Sequence, residues 1–282
     1  MMREIEAKRI TETISGLLQE ACYHLSGDVV AALKAAAEQE ESPVARGVLG
    51  KLLENAEIAA RGEVPLCQDT GMAVVFLELG QEVHIVGGDL YEAVQEGTRR
   101  AYGDGYLRKS VADRPFSART NTKDNTPAII HAAIVPGDRL KIFALSKGFG
   151  SENMSGLAML PPSKGRPGVI DFVVNRVSEA GANPCPPIIV GVGIGGTAEK
   201  CMLLAKTALL RKVGAPHPDP EVAELEAELL KRINDLGIGA MGYGGRITAL
   251  AVHVEVFPAH IASLPVAVNI QCHSVRHREA VL

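Results

Sequence analysis

The 282-residue chain has no tryptophan, and its other aromatic residues are six Phe and five Tyr. Platforms for stacking nucleic-acid bases are therefore not expected. A cationic surplus is missing too: 29 Lys and Arg stand against 33 Asp and Glu, a formal net charge of −4. Such a chain lacks the electrostatic footprint of a general nucleic-acid binder. Five cysteines are too few, and odd in number, for a disulfide framework, which points to a reducing, cytoplasmic setting. No apolar run approaches bilayer length, and the opening MMREIEAKRITETISGLLQE alternates charge with apolar residues, unlike a secretory signal. With aromatics scarce, the core must come from Ala, Val, Leu and Ile. Hydrophobic residues at 46% are enough for one large domain or two modest ones.

Apolar spacing predicts helices over 3–25, 28–41 and 43–62. Asp28 is placed at the second N-cap and Pro43 at the first position of the third helix, with Val44, Val48, Leu52 and Ala56 along one face. Beyond Gly62 the pattern changes. MAVVFLELG (72–80) and QEVHIVGG (81–88) read as strands joined through Gly80, and 89–105 as a helix ending in glycines. TPAIIHAAIV and DRLKIFALS read as a hairpin around Pro136-Gly137. A helix follows over 167–181, then the buried strand PPIIVGVGIGG, helices over 197–212 and 217–237, and closing strands ITALAVHVEVF and LPVAVNIQCH. Without steady βαβ alternation the fold class is α+β: a helical section over 1–62, then a mixed or antiparallel sheet with packed helices over 63–282.

Chemistry is expected in the loops, where Gly, Pro, Cys and charge concentrate. Cys22 and Cys201 fall inside predicted helices among apolar neighbours and read as small buried hydrophobes. Cys67 in PLCQDTG, Cys185 in NPCPP and Cys272 in NIQCHS fall in loops or at strand ends, the first two stiffened by prolines. They are three dispersed thiols or the ligands of one soft metal site; spacing alone leaves both open. GVGIGG at 191–196 matches a dinucleotide fingerprint, but no parallel strand ending in an acid follows about twenty residues on, so a tight strand-to-helix turn is the plainer reading. KGFGSENMSG at 147–156 is either a donor-rich carboxylate cradle or a flexible loop. Asp69 is a reacting carboxylate or a turn residue. Arg108, Arg114 and His260 are anion partners or exposed loop residues.

Taken together, PLCQDTG, KGFGSENMSG, NPCPPIIVGVGIGGT, HPDPEVAELE and PVAVNIQCHS resemble the α subunit, or N-terminal domain, of class I fumarate hydratases. These are iron–sulfur hydro-lyases, with the L-tartrate dehydratases as close relatives. The similarity runs in order from about residue 5 to 278. The resemblance implies that Cys67, Cys185 and Cys272 ligate three irons of a 4Fe–4S cluster whose fourth iron binds substrate. It also implies that Gln68, Asp69, Arg108 and Gly150 contact the substrate and that His260 is the active-site histidine. Asp69 and His260 would be the catalytic residues.

Two-domain relatives continue into a C-terminal domain carrying the proposed base, so a separate β subunit is implied. The assembly would be a heterotetramer or would contain an α–α dimer. The expected reaction is reversible hydration of fumarate to L-malate, a step of the tricarboxylic acid cycle. L-tartrate dehydration is the alternative. A NAD-dependent oxidoreductase and a non-catalytic metal-binding subunit are further readings, and activity in an iron-loaded sample would separate them from the first two.

Overall fold

Strands form where β-branched and apolar residues run together, and helices where they recur every three to four positions. This holds in the computed structural model, which describes residues 2–282. The chain runs β1 (Arg3–Glu6), α1 (Ala7–Tyr23), α2 (Gly27–Gln39), α3 (Pro43–Gly62), β2 (Met72–Gly80), β3 (Val83–Val86) and α4 (Leu90–Asp104). It continues through β4 (Ala112–Asp113), β5 (Thr120–Asn121), β6 (Ile129–Val135), β7 (Leu140–Lys147), α5 (Phe149–Glu152), β8 (Gly156–Leu160), α6 (Gly165–Ala180) and β9 (Ile188–Gly195). It ends with α7 (Ala198–Ala208), α8 (Pro220–Asn234), β10 (Ala249–Phe257), β11 (Leu264–Gln271) and β12 (His277–Val281). Mixed sheets with packed helices make this an α+β fold. No helix among the described residues is long and apolar enough to cross a membrane.

The chain divides into two compact units, neither continuous in sequence. The first takes the stretch ending at Leu25, then Asn55–Phe149 and Ser274–Leu282; the second takes Ser26–Glu54 and Gly150–His273. Residue 62 marks where helices give way to strands, and the units are drawn on other lines.

In the first unit the sheet order is β12-β7-β2-β6. β2 runs antiparallel to β7, with Met72 opposite Lys147, and parallel to β6. β12 lies antiparallel on the other side of β7. Helices α1 and α4 pack on one face, where Ile10, Ile14, Leu18, Val94 and Tyr102 meet Val75 and Leu77. Gly97 permits the close helix approach, since a β-carbon there would stand 2.8 Å from the Thr11 carbonyl oxygen. The expected hairpin around Pro136-Gly137 does not form: β6 and β7 are not partners, because β2 lies between them. β3, joined to β2 through Gly80, pairs with β1. The segment between β2 and β6 includes α4 and works as a crossover, which parallel pairing requires. Residues 3–6 form β1 rather than the start of a helix.

In the second unit the order is β10-β9-β11-β8, with β9 parallel to β10 and antiparallel to β11. Helices α6 and α8 cover one face through Val173, Val177, Leu229 and Ile233 against Val190, Val192 and Val268. Helix α7 lies against β9 and β11 with Cys201 and Ala205. Gly191 and Gly193 make this possible, because β-carbons there would stand 2.1 Å from the Ala205 and Cys201 carbonyl oxygens. The glycine string is thus used for helix-on-strand packing. A parallel strand does follow β9, but only after both α7 and α8. Ser26, not Asp28, occupies the N-cap of α2, while the Asp28 carboxylate accepts the Val213 N–H at 2.8 Å. Helix α3 buries Ala56 of its expected face, but its other buried residues are Ala45, Leu49 and Ala59, and Val44 is 58% exposed.

Candidate active site

Strand register gathers three loops at one end of the first unit's sheet. Because β2 and β7 are antiparallel with Met72 opposite Lys147, the loop leading into β2 meets the residues leaving β7. The same register logic brings the start of β12, where His277 faces Leu145, to that end. The loop before β2 carries Cys67, Gln68 and Asp69. Asp69 is held at both carboxylate oxygens: Oδ1 accepts the Gly71 N–H at 3.0 Å and Oδ2 the Phe149 N–H at 2.8 Å. The Asp69 N–H lies 3.4 Å from Cys67 Sγ, and that thiol donates to Gln68 Oε1 at 3.4 Å. Cys67 is half-buried and Gln68 exposed.

Buried polar groups pin this loop from behind. The Thr70 carbonyl accepts the Tyr102 hydroxyl at 2.6 Å and also the Ser146 hydroxyl. Burial pushes the Tyr102 phenol above its ordinary range, so it stays protonated as a donor. Gly71 has φ +62, and a β-carbon there would fall 2.0 Å from the Lys147 carbonyl oxygen. The Thr70 hydroxyl donates to the Arg108 carbonyl at 3.1 Å, which ties the Arg108 backbone to the residue that follows Asp69. Arg108 is exposed, and among the described residues its guanidinium pairs with nothing. Arg276 is 1% exposed and donates from Nε to the Ser146 carbonyl at 3.2 Å. One of its terminal nitrogens lies 2.5 Å from where a Gly148 β-carbon would be.

The second unit collects its own loops in the same way. Cys185 precedes β9 and Cys272 follows β11, and with Gln271 opposite Ile189 both cysteines stand at one sheet end. The His273 ring Nδ1 is 3.0 Å from the Cys185 carbonyl. Cys185 has φ +56, an uncommon backbone region for a residue with a β-carbon. Gly150 belongs here too, since its β-carbon position lies 3.3 Å from the Asn183 carbonyl oxygen. In the adjoining loop Glu152 accepts Lys206 Nζ at 2.6 Å and Asn269 Nδ2 at 3.0 Å. KGFGSENMSG is therefore bonded in place rather than loose.

His260 is not brought to this end. It sits in the turn between β10 and β11, exposed, with Nδ1 accepting the Ala262 N–H at 3.2 Å. The length of β11, roughly 24 Å at about 3.4 Å per residue, separates that turn from Cys272. Exposed Arg114 spans no site; it caps a local turn whose carbonyl accepts Ser117 and Arg119.

The remaining cysteines are inert by setting. Cys22 is fully buried, and desolvation raises its thiol pKa. Cys201 donates to the Gly193 carbonyl at 3.0 Å, and burial pushes it up to about 11. Cys67, Cys185 and Cys272 are by contrast half-buried thiols in loops. No three His, Cys, Asp or Glu side chains among the described residues form a site for one metal ion, whereas a polynuclear cluster spreads its thiolates over separate irons. Sequence reasoning missed Thr70, Tyr102, Asn125, Ser146 and Arg276. Thr70 lies within PLCQDTG and the other four outside the quoted motifs, and each acts through a partner distant in the chain.

Comparison with known proteins adds an independent line. A profile of the family described as Fumarate hydratase (Fumerase) matches residues 11–281. A Methanocaldococcus jannaschii protein provisionally named L(+)-tartrate dehydratase subunit alpha is 45% identical over 273 residues, covering 95% of each chain. The Escherichia coli (strain K12) L(+)-tartrate dehydratase subunit alpha is 31% identical over 279 residues, covering 97% of this chain and 90% of that one.

Proposed function

The chain belongs to the fumarate hydratase family, and from that premise we propose that it is the α subunit of an iron–sulfur hydro-lyase. With a separate β subunit it would reversibly hydrate fumarate to L-malate in the cytoplasm. The observation that carries this reading is the Asp69 carboxylate, bonded at both oxygens two residues from Cys67, with Arg108 tied to the residue that follows it.

Dehydrating a 2-hydroxy dicarboxylate removes a weakly acidic C3 proton and expels the C2 hydroxyl. The half-buried loop thiols of Cys67, Cys185 and Cys272 fit a 4Fe–4S cluster, and they are the residues assigned to hold it. When bound, that cluster supplies Lewis-acid polarisation of the leaving hydroxyl at an iron without a cysteine ligand. The protein's own groups do the rest. Asp69, oriented by two amide donors, would in its protonated form give a proton to the leaving oxygen, or relay one to it from solvent, and take one back from solvent afterwards. Arg108 has all its donors available and pairs with a substrate carboxylate, where a bidentate contact fixes orientation as well as charge. Gln68 and the backbone at Gly150 line the remaining polar contacts. His260 is given no step. The base for the C3 proton is assigned to the β subunit.

L(+)-tartrate is the second reading, favoured by the names of the M. jannaschii and E. coli relatives. Both acids share two carboxylates and a 2-hydroxyl, so the residues named above serve either. The deciding experiment is anaerobic co-purification with the β subunit, followed by assay on fumarate, L-malate and L(+)-tartrate. Turnover of fumarate and malate supports the first reading, and turnover of tartrate alone replaces it with the second. An iron-loaded complex inactive on all three removes both. The α chain loaded with iron but without its partner should be inactive.

A further inference from the structure

Two loops of the first unit, one carrying Asp69 and the other Arg108, are joined by a side chain that takes no part in the chemistry above. Asn125 is fully buried, 0% exposed, in the left-handed backbone region at φ +63, where Asn is better tolerated than most side chains. Its Nδ2 donates to the Gly71 carbonyl at 3.0 Å. Its Oδ1 accepts the N–H groups of Ser110 and Val111, at 2.6 and 3.0 Å. One planar amide thus grips the Asp69–Gly71 loop with its donor and the Arg108–Val111 loop with its acceptor. Asp would lack the donor, and Gln carries an extra methylene that a fully buried position has no room for.

The grip matters because the Arg108 segment is irregular backbone: buried Leu107 and bonds from Asn121 and Thr122 to the Lys109 and Val111 carbonyls anchor it to its own surroundings, but not to the loop that carries Asp69. It lies between the end of α4 at Asp104 and the two-residue strand β4. Its own links to the Asp69 loop are the Thr70 bond and Asn125. An arginine that recognises a carboxylate from an irregular loop depends on where that loop's backbone is fixed. A misplacement of about 1 Å can cost about a hundredfold in rate.

We propose that Asn125 is a positioning residue that sets Arg108 relative to Asp69 and thereby sets the enzyme's grip on its dicarboxylate. This rests on the reading that Asp69 and Arg108 both contact substrate.

The test uses the reconstituted α–β holoenzyme, assayed on fumarate and L-malate, with Asn125→Gly, Arg108→Ala and the double variant. Glycine keeps the left-handed backbone and removes only the side chain. Asn125→Gly should raise KM for both acids at least tenfold at wild-type iron content. The double variant should have the KM of Arg108→Ala within about twofold, because a residue acting only through Arg108 adds nothing once it is gone. In the metal-free full chain, Asn125→Gly should speed hydrogen exchange at the Ser110 and Val111 amides at least tenfold. Asn125→Asp, which keeps the two accepting bonds, covers the case in which the glycine variant does not fold, and should raise KM at least threefold.

A wild-type KM in a folded Asn125 variant overturns the proposal while leaving the Arg108 assignment standing. So do multiplicative KM effects in the double variant, or unchanged exchange. A wild-type KM in Arg108→Ala overturns the substrate role of Arg108 itself, and this proposal with it.

Discussion

Replacing Gly71 with alanine attacks the point where the Asp69 loop turns into β2. Two costs follow from the geometry. The residue sits at φ +62, where a side chain costs about 1–2 kcal/mol. The new β-carbon would lie 2.0 Å from the Lys147 carbonyl oxygen and 2.8 Å from the Gly148 nitrogen, both backbone atoms that cannot rotate away. Restoring a contact distance requires the β2 and β7 backbones to separate by more than an ångström, and overpacking of that kind costs about 1–3 kcal/mol. The sum, about 2–5 kcal/mol, is a large share of an ordinary domain's stability.

The same shift draws Phe149 away from Asp69, whose Oδ2 it bonds, so turnover of the assembled enzyme should fall with stability. Urea unfolding read by hydrogen exchange in β2 and β7 measures the first effect, with the slope m checked for constancy. Gly16→Ala is the control. Gly16 is exposed inside α1 with nothing within 4 Å of its β-carbon position, so alanine there should stabilise by about 0.5–1 kcal/mol. Gly71→Ala with a wild-type midpoint, or a shift of the same sign as the control's, would refute the packing argument.

Asp69→Asn should do more than remove a charge: its amide nitrogen cannot accept the N–H that its oxygen counterpart does, so one bond is lost at about 1–3 kcal/mol, and turnover should collapse; an Asn enzyme with near-normal turnover would end the proposed role for this carboxylate. Alanine at Cys67, Cys185 or Cys272 should each abolish iron loading in anaerobic reconstitution, while Cys22→Ala and Cys201→Ala should retain it; full iron content in any of the first three would count against the ligand assignment. His253, 2% exposed in β10, has its pKa lowered, first by burial and then by the Arg211 charge. The unfolded chain takes up this proton near pH 6.5 while the folded chain does not, so stability is full above that pH and declines as pH falls below it. Thermal midpoints between pH 7 and 5 should therefore fall more steeply for wild type than for His253→Gln, and parallel curves would exclude this histidine as the source.

Much of the secondary structure was legible because its signals are local. The run MAVVFLELG, the spacing of Val222, Leu225, Leu229 and Ile233, and Gly181 just past α6 each predict an element from its own residues, and each appears. β8 and β12 escaped notice because GLAML and HREAV are short and lack clear alternation. Partnership between strands was not legible. The run on either side of Pro136-Gly137 looks like a hairpin from within, yet β2 lies between its two arms, since pairing depends on which distant strand offers the better buried face.

The candidate site divides along the same line. Residue types and loop settings alone separated the three loop cysteines from the two helical ones, marked Asp69 beside Cys67, and carried the family resemblance, because reactivity and capacity to ligate reside in the side chains themselves. What holds Asp69 was decided only in three dimensions: the Phe149 amide comes from 80 residues away, and the Thr70 carbonyl is held by Tyr102 and Ser146. So were the buried position of Arg276, the Asn125 link to the Arg108 loop, and the separation of His260 from Cys272 by the length of β11. Each depends on strand register and on the closing of long loops, and a hydrogen bond between residues far apart in the chain leaves no period or spacing in the sequence from which to read it.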